Sequence, residues 1–323
     1  MKIDLFKSVP TGTEMYEIGE VLDSGWWAQG AKVKEFEEAF AKSVGVKYAV
    51  ATNSCTAALD IAVRVAPLGD EVTVSAFTFV SSALAILNAG KKVRFVDIDA
   101  DSRCTRNADI QVLYAGNDFG EGMIYDMAHF GGGMHKGLIS CWSFHAVKNL
   151  PTGDGGMLTT NDEEIYRRAK AISWCGIDKT TFDRAKETYS WDYNIKEVGL
   201  KANMNDITAA IGIEQLKWLP ERNAKRKQVA GWYNAHLPDK IERPYPSTTW
   251  HMYTISVPDR DKVYDKLAEN GVSAGVHYKP LFLYSIFPSE VLPVTMEVFR
   301  NTLTLPMHTL LTEEDVKYIC GLL

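Results

Sequence analysis

Short runs rich in β-branched residues alternate with helical patterns through the first two-thirds of the chain. Val46-Lys47-Tyr48-Ala49-Val50-Ala51 predicts a strand and Thr56 to Val65 a helix. Glu71 to Val74 predicts a strand, Val80 to Leu87 a helix, and Lys92 to Asp97 a strand. Ile110 to Tyr114, Met123 to Asp126, Leu138 to Trp142 and Gly156 to Thr160 follow as further strands. This alternation predicts an α/β fold with a mostly parallel central sheet. In such sheets, ligands sit at the carboxyl ends of the strands.

The last third has a different pattern. Apolar residues at helical spacing (Ile207, Ala210, Ile211, Ile213, Leu216) predict a helix over Asp206 to Leu219, closed by Pro220. A charged helix is expected from Glu221 to His236. A proline-rich connector, a strand Tyr253 to Val257, a helix Asp261 to Asn270 and a strand Gly271 to Val276 come next. A last helix starts at Thr312, where Thr-Glu-Glu-Asp resembles a capping box. The expected division is a large domain over 1–217 and a smaller C-terminal α+β domain over 218–323.

Composition narrows the function. Apolar residues make up 46% of the 323, enough for a sizeable core, and the formal charge is −6. An acidic chain is poorly suited to nucleic acid or to a polybasic membrane anchor. The longest uncharged stretch, Val72 to Gly90, is broken by serines and threonines and suits strand-then-helix better than a membrane span. The N-terminus lacks the apolar run of a signal peptide. Five scattered cysteines show no zinc or redox spacing, so free thiols, a cytoplasmic setting and no metal site are expected.

Three segments carry candidate chemistry. Lys148 lies in a polar, glycine-bordered turn just past the strand ending at Trp142. A lysine desolvated there loses basicity and can form a Schiff base with a carbonyl, although most lysines are simply solvated. Thr152-Gly153-Asp154-Gly155-Gly156 lacks the Gly-Lys-Ser/Thr ending of a P-loop. Asn53-Ser54-Cys55-Thr56-Ala57-Ala58-Leu59 sits where a strand enters a helix, a place for an anion or an ordinary cap. Asp126 closes an apolar strand, where a carboxylate could face a protonated ring nitrogen or form an ordinary salt bridge. Phosphate, pyridine nitrogen and aldehyde are the three handles of pyridoxal phosphate (PLP).

The chain resembles the DegT/StrS-type sugar aminotransferases of PLP fold type I. Ser24-Gly25-Trp26 with Lys34-Glu35-Phe36-Glu37, the Asn53 to Leu59 turn, Ser143-Phe144-His145-Ala146-Val147-Lys148-Asn149, Gly199 to Asp206 with Ala209-Ala210-Ile211-Gly212, Gly275-Val276-His277-Tyr278 and Leu305-Pro306-Met307-His308 carry it. The resemblance implies that Lys148 holds the cofactor as a Schiff base and shuttles the proton, and that Asp126 keeps the pyridine nitrogen protonated. It implies phosphate contacts from Thr56, Ala57 and Ser143, ring stacking by Phe79, and His129 near the ring oxygen. Lys201 lies where many members carry an Asn that reaches the phosphate of the other subunit, and Asn203 is a further candidate. His277, Tyr278 and His308 become candidate sugar-nucleotide contacts. The implied activity is ping-pong transfer of an amino group from L-glutamate to a nucleotide-linked keto-sugar, through pyridoxamine phosphate, in a homodimer with shared sites. A PLP-dependent sugar dehydratase and a non-catalytic cofactor-binding homologue are the competing readings, and Lys148 argues against the dehydratase.

Three departures stand out, one being that the region from Leu237 to Trp250 looks trimmed, as in a compact member. Cys55 occupies the place of the family's usual glycine, which would strain a backbone needing positive φ. Only Ala115 to Gly122 separates two expected parallel strands, too short for the usual crossover helix.

Overall fold

The β-branched runs assemble, among the described residues, into one seven-stranded sheet. A computed structural model describes residues 2–116, 120–177, 192–247 and 249–323. The strands are β1 (Tyr48–Thr52), β2 (Glu71–Ser75), β3 (Lys92–Val96), β4 (Ile110–Val112), β5 (Ile124–Asp126), β6 (Ile139–Ser143) and β7 (Gly156–Thr160). Their order is β1-β7-β6-β5-β4-β2-β3, and only β7 runs against its neighbours. The expected mostly parallel α/β sheet is therefore present, with strand limits shifted by a residue or two. Strands buried on both faces read as apolar runs, which is why this part of the sequence is so legible.

The short link after β4 leaves the sheet intact. Val112 lies opposite Asp126, and β5 pairs with β4 in parallel register. The described part of the link contains a 3-10 turn, Tyr114–Gly116, and no α-helix. The chain then presses against Gln111 of β4 and the backbone just before that strand. Gly120 has φ +77°, and a Cβ there would come within 2.0 Å of the Thr105 carbonyl. Gln111, fully buried beneath it, donates to that carbonyl at 2.8 Å.

Two expectations in the last third are corrected. The helices over 206–219 and 221–236 are one helix, Asp206–His236, running straight through Pro220. Pro220 is exposed, so the carbonyl that loses its partner can turn to water. Ala209, Ile213 and Leu219 are buried in one hydrophobic cluster and Val229, Ala230 and Tyr233 in another. Burial at both ends outweighs the roughly 3 kcal/mol that an interior proline costs. Position 218 thus falls inside the helix, where it passes from one cluster towards the other. The strand expected at 271–276 is also absent. Val272 and Gly275 make only single bridges, to Ile3 and Thr304. Two glycines in six residues leave little to pack on a pleated surface. The strand that pairs with Tyr253–Ser256 is Thr302–Leu305. The capping box forms as read, with Thr312 and Asp315 satisfying each other's backbone N–H.

Candidate active site

The carboxyl end of β1 runs directly into the helix Cys55–Val65. Ser54 caps it, its Oγ accepting from the Ala57 N–H at 3.1 Å. The Thr56 and Ser81 hydroxyls lie 2.7 Å apart beside this end. Cys55 is the first helical residue and is not among those with positive φ, so the expected strain does not arise. Gly156, the first residue of β7, presses on the same turn, and a Cβ there would meet the Ser54 carbonyl carbon at 2.4 Å and the Cys55 N at 2.5 Å. Both are backbone atoms that cannot step aside. Gly156→Ala is expected to destabilise the fold by about 1–3 kcal/mol, read as a lower Tm of the cofactor-free protein.

Asp126 ends β5 and is 6% exposed. Its Oδ2 accepts from Ser82 Oγ at 2.7 Å and its Oδ1 from the Ala128 N–H at 3.0 Å. No cation stands within ion-pair distance of it among the described residues. Burial raises its pKa, opposed by those two hydrogen bonds and by the charge of Lys148.

Lys148 follows β6 in a turn drawn tight by backbone bonds. Phe144 donates to Gly155 O at 2.9 Å, Thr152 to Phe144 O at 2.8 Å, and Lys148 itself to His145 O at 2.8 Å. Its pKa is lowered to about 8, chiefly by burial, with the Arg226 charge adding and Cys55 and Asp126 opposing. Its Nζ lies 3.3 Å from His251 Nε2.

Thr56, Phe79, Asp126, His129, Ser143, Lys148, His277 and Tyr278 all line one cavity of about 350 Å³. Phe79 is 57% exposed at its mouth, its ring 6.2 Å from that of Tyr278. His129 is buried, meets the Tyr278 hydroxyl at 2.8 Å through Nε2, and is held neutral because burial lowers its pKa well below the usual value. Four candidates lie outside this cavity lining. The Ala57 N–H is engaged by Ser54. Lys201 Nζ donates to Asn203 Oδ1 at 2.8 Å and stands 3.7 Å over the Trp174 ring, pointing to no part of this cavity's lining. His308 is buried away from the lining. Sequence reasoning missed Ser82 and His251. Ser82 sits in an uncharged run and His251 in an aromatic one, so neither carries a local signal.

These residues fit pyridoxal phosphate. A buried carboxylate without a cation is costly, and a protonated ring nitrogen would balance it. A helix end with hydroxyls suits the phosphate. An amine of lowered basicity suits the aldehyde.

Comparison with known proteins agrees with this chemistry. The chain is 32% identical over 359 residues to the spore coat polysaccharide biosynthesis protein SpsC of Bacillus subtilis, covering 94% of this chain and 91% of SpsC. It is 30% identical to a dTDP-4-dehydro-2,3,6-trideoxy-D-glucose 4-aminotransferase of Saccharopolyspora spinosa, covering 98% and 94%. The PMP-form of a putative sugar aminotransferase, Spr1654, from Streptococcus pneumoniae superimposes with a TM-score of 0.89 at 28% identity, covering 98% and 97%. A family model matches residues 11–115 and 123–323, omitting only the short link and the first ten residues. The chain therefore belongs to the DegT/DnrJ/EryC1/StrS aminotransferase family.

Proposed function

We propose that this PLP-dependent aminotransferase moves an amino group from L-glutamate to a keto-sugar carried on a nucleotide, in the cytoplasm. The observation that carries the reading is the meeting of a lysine of lowered basicity and a buried, cation-free carboxylate in one cavity. The naming of the Saccharopolyspora relative as a dTDP-sugar aminotransferase supports a nucleotide-linked acceptor.

Bound pyridoxal phosphate would supply an aldehyde to take up the amino group and a ring to withdraw electrons from the adjacent carbon. The N-terminus of the Cys55–Val65 helix, Thr56 and Ser143 would hold its phosphate. Asp126 would keep a proton on its ring nitrogen. Phe79, in the cavity lining, would stack on the ring. Lys148 Nζ would take the proton from the donor's α-carbon and return it, a task suited to a pKa near the working pH. Lys201 and Asn203 lie outside their own chain's cavity, which supports a homodimer in which Lys201 reaches the partner's phosphate.

Glutamate added to the purified yellow protein is expected to bleach it and release one 2-oxoglutarate per site. A panel of keto-sugars on GDP, dTDP and UDP then identifies the acceptor as the compound that restores the colour and leaves aminated. Failure of every amino acid to bleach the protein, or a deoxygenated sugar as product, would end this reading.

A further inference from the structure

His251 is 2% exposed and packs against two rings. Phe6 stacks on it at 5.5 Å with 6° between planes, and His129 lies at 5.1 Å. Its Nε2 meets Lys148 Nζ at 3.3 Å, while its Nδ1 is buried with no hydrogen-bond partner. An unpaired buried polar atom costs about 1–3 kcal/mol, so packing alone gives no reason for an imidazole here. Lys148 lines both the large cavity and a void of about 10 Å³, and His251 lines that void but not the large cavity. The imidazole therefore meets the amine from outside the cavity's lining.

The backbone beneath His251 is held deliberately. Trp250 has φ +48°, an unfavourable conformation for a bulky residue. Ser247 Oγ accepts from the Trp250 N–H at 3.0 Å and donates to the Ala115 carbonyl at 2.8 Å. Asn149, the neighbour of Lys148, donates to the Thr249 carbonyl at 2.9 Å. Arg226, a buried guanidinium from the long helix, donates through Nη1 to the carbonyls of Trp250 and His251 at 3.3 Å each and of Met307 at 3.1 Å. Strained backbone, a buried arginine and the lysine turn thus converge on one side chain.

We propose that His251 is a positioning residue for the Lys148 amine: its Nε2 accepts an Nζ–H from outside the cavity's lining and leaves the nitrogen lone pair facing the cavity. A free lysine amine can rotate about its last bond, and only the orientation with the lone pair towards the substrate carbon is productive. The groups that face Lys148 are Cys55, Asp126, His129, His251, His277 and Arg226. His251 stays neutral among them, since burial first and then the Lys148 charge lower its pKa well below the usual value. It can therefore accept throughout the neutral range.

This inference rests on Lys148 being the reacting amine, and the test separates the two. His251→Phe keeps the ring and removes the acceptor. His251→Gln places an amide oxygen near the Nε2 position. His251→Phe is expected to lower kcat by at least about 10-fold with KM for glutamate within about 3-fold, and His251→Gln to recover much of that loss. In cofactor-free protein, trace acetylation of Lys148 followed across pH by peptide mass spectrometry reads the amine without turnover. Its midpoint, near 8 in the parent chain, is expected to fall in His251→Phe, which loses a bond to the ammonium, and to return in His251→Gln. Should His251→Phe fail to fold, His251→Asn, whose amide reaches only the Nδ1 position, replaces it with the same expected losses. Full kcat and an unmoved labelling midpoint in the Phe or Asn variant, with Gln no better than either, overturns the role of His251 alone. Turnover surviving in Lys148→Ala overturns both this role and the proposed function.

Discussion

Lys148→Ala is expected to lose at least about 10³-fold in turnover, because in the proposed function one side chain would serve as both anchor and proton carrier. Borohydride treatment of the parent protein is expected to fix a B6 adduct on the peptide containing Lys148, and the alanine variant to yield none. The fold should survive the change. Lys148 is only partly buried, and the turn around it is closed by backbone bonds from Phe144, Thr152 and the residue's own N–H, which alanine retains. Unaltered far-UV dichroism with lost turnover is therefore the expected pair of results, and a catalytically normal variant would remove Lys148 from the chemistry.

Asp126→Asn is expected to act in opposite directions on the empty and the loaded protein. Burial raises the Asp126 pKa, so the folded chain holds that proton more tightly than the unfolded chain. Its stability contribution is full below the ordinary Asp value and is lost as pH rises through the raised one. At neutral pH the cofactor-free wild type thus carries an unbalanced buried carboxylate. Asparagine has the same shape and removes the charge. Its oxygen can still accept from the Ala128 N–H, and its amide can donate to Ser82, whose hydroxyl then turns to Thr78 Oγ1 at 3.1 Å. The cofactor-free variant is expected to melt a few degrees higher than wild type at pH 7.5, with the gain vanishing at low pH. Turnover is expected to fall by about 10²–10³-fold, the scale for losing one preorganised charge contact in a site. A lower Tm at pH 7.5 or unchanged kcat would show that this carboxylate has another partner.

The sheet was legible because all its strands but the edge strand β3 are largely buried on both faces, and their composition says so without help from neighbours. The gathering of the candidate residues in one cavity was legible for a related reason. Asp126, Ser143 and Lys148 end or follow strands, and a parallel sheet places such positions together. The proline at 220 misled because local propensity says stop, while the burial of Ala209 and Tyr233 at opposite ends of the helix says continue. The six residues from Gly271 misled in the other direction, since their β-branched members lack a paired neighbour strand. His251 was invisible for a third reason. Its role comes from residues distant in sequence, namely Phe6, His129, Lys148 and Arg226, and from a backbone angle at Trp250 that no composition encodes.

The unbroken rod from Asp206 to His236 is embedded in two separate cores. Swinging the C-terminal third away from the sheet would mean bending that rod or tearing one end from its bed. Neither is affordable for each substrate that arrives. The frame around the cavity is thus a socket and not a jaw, and under the proposed function a sugar would enter past Phe79, with selectivity set by lining side chains that can be exchanged without touching that frame.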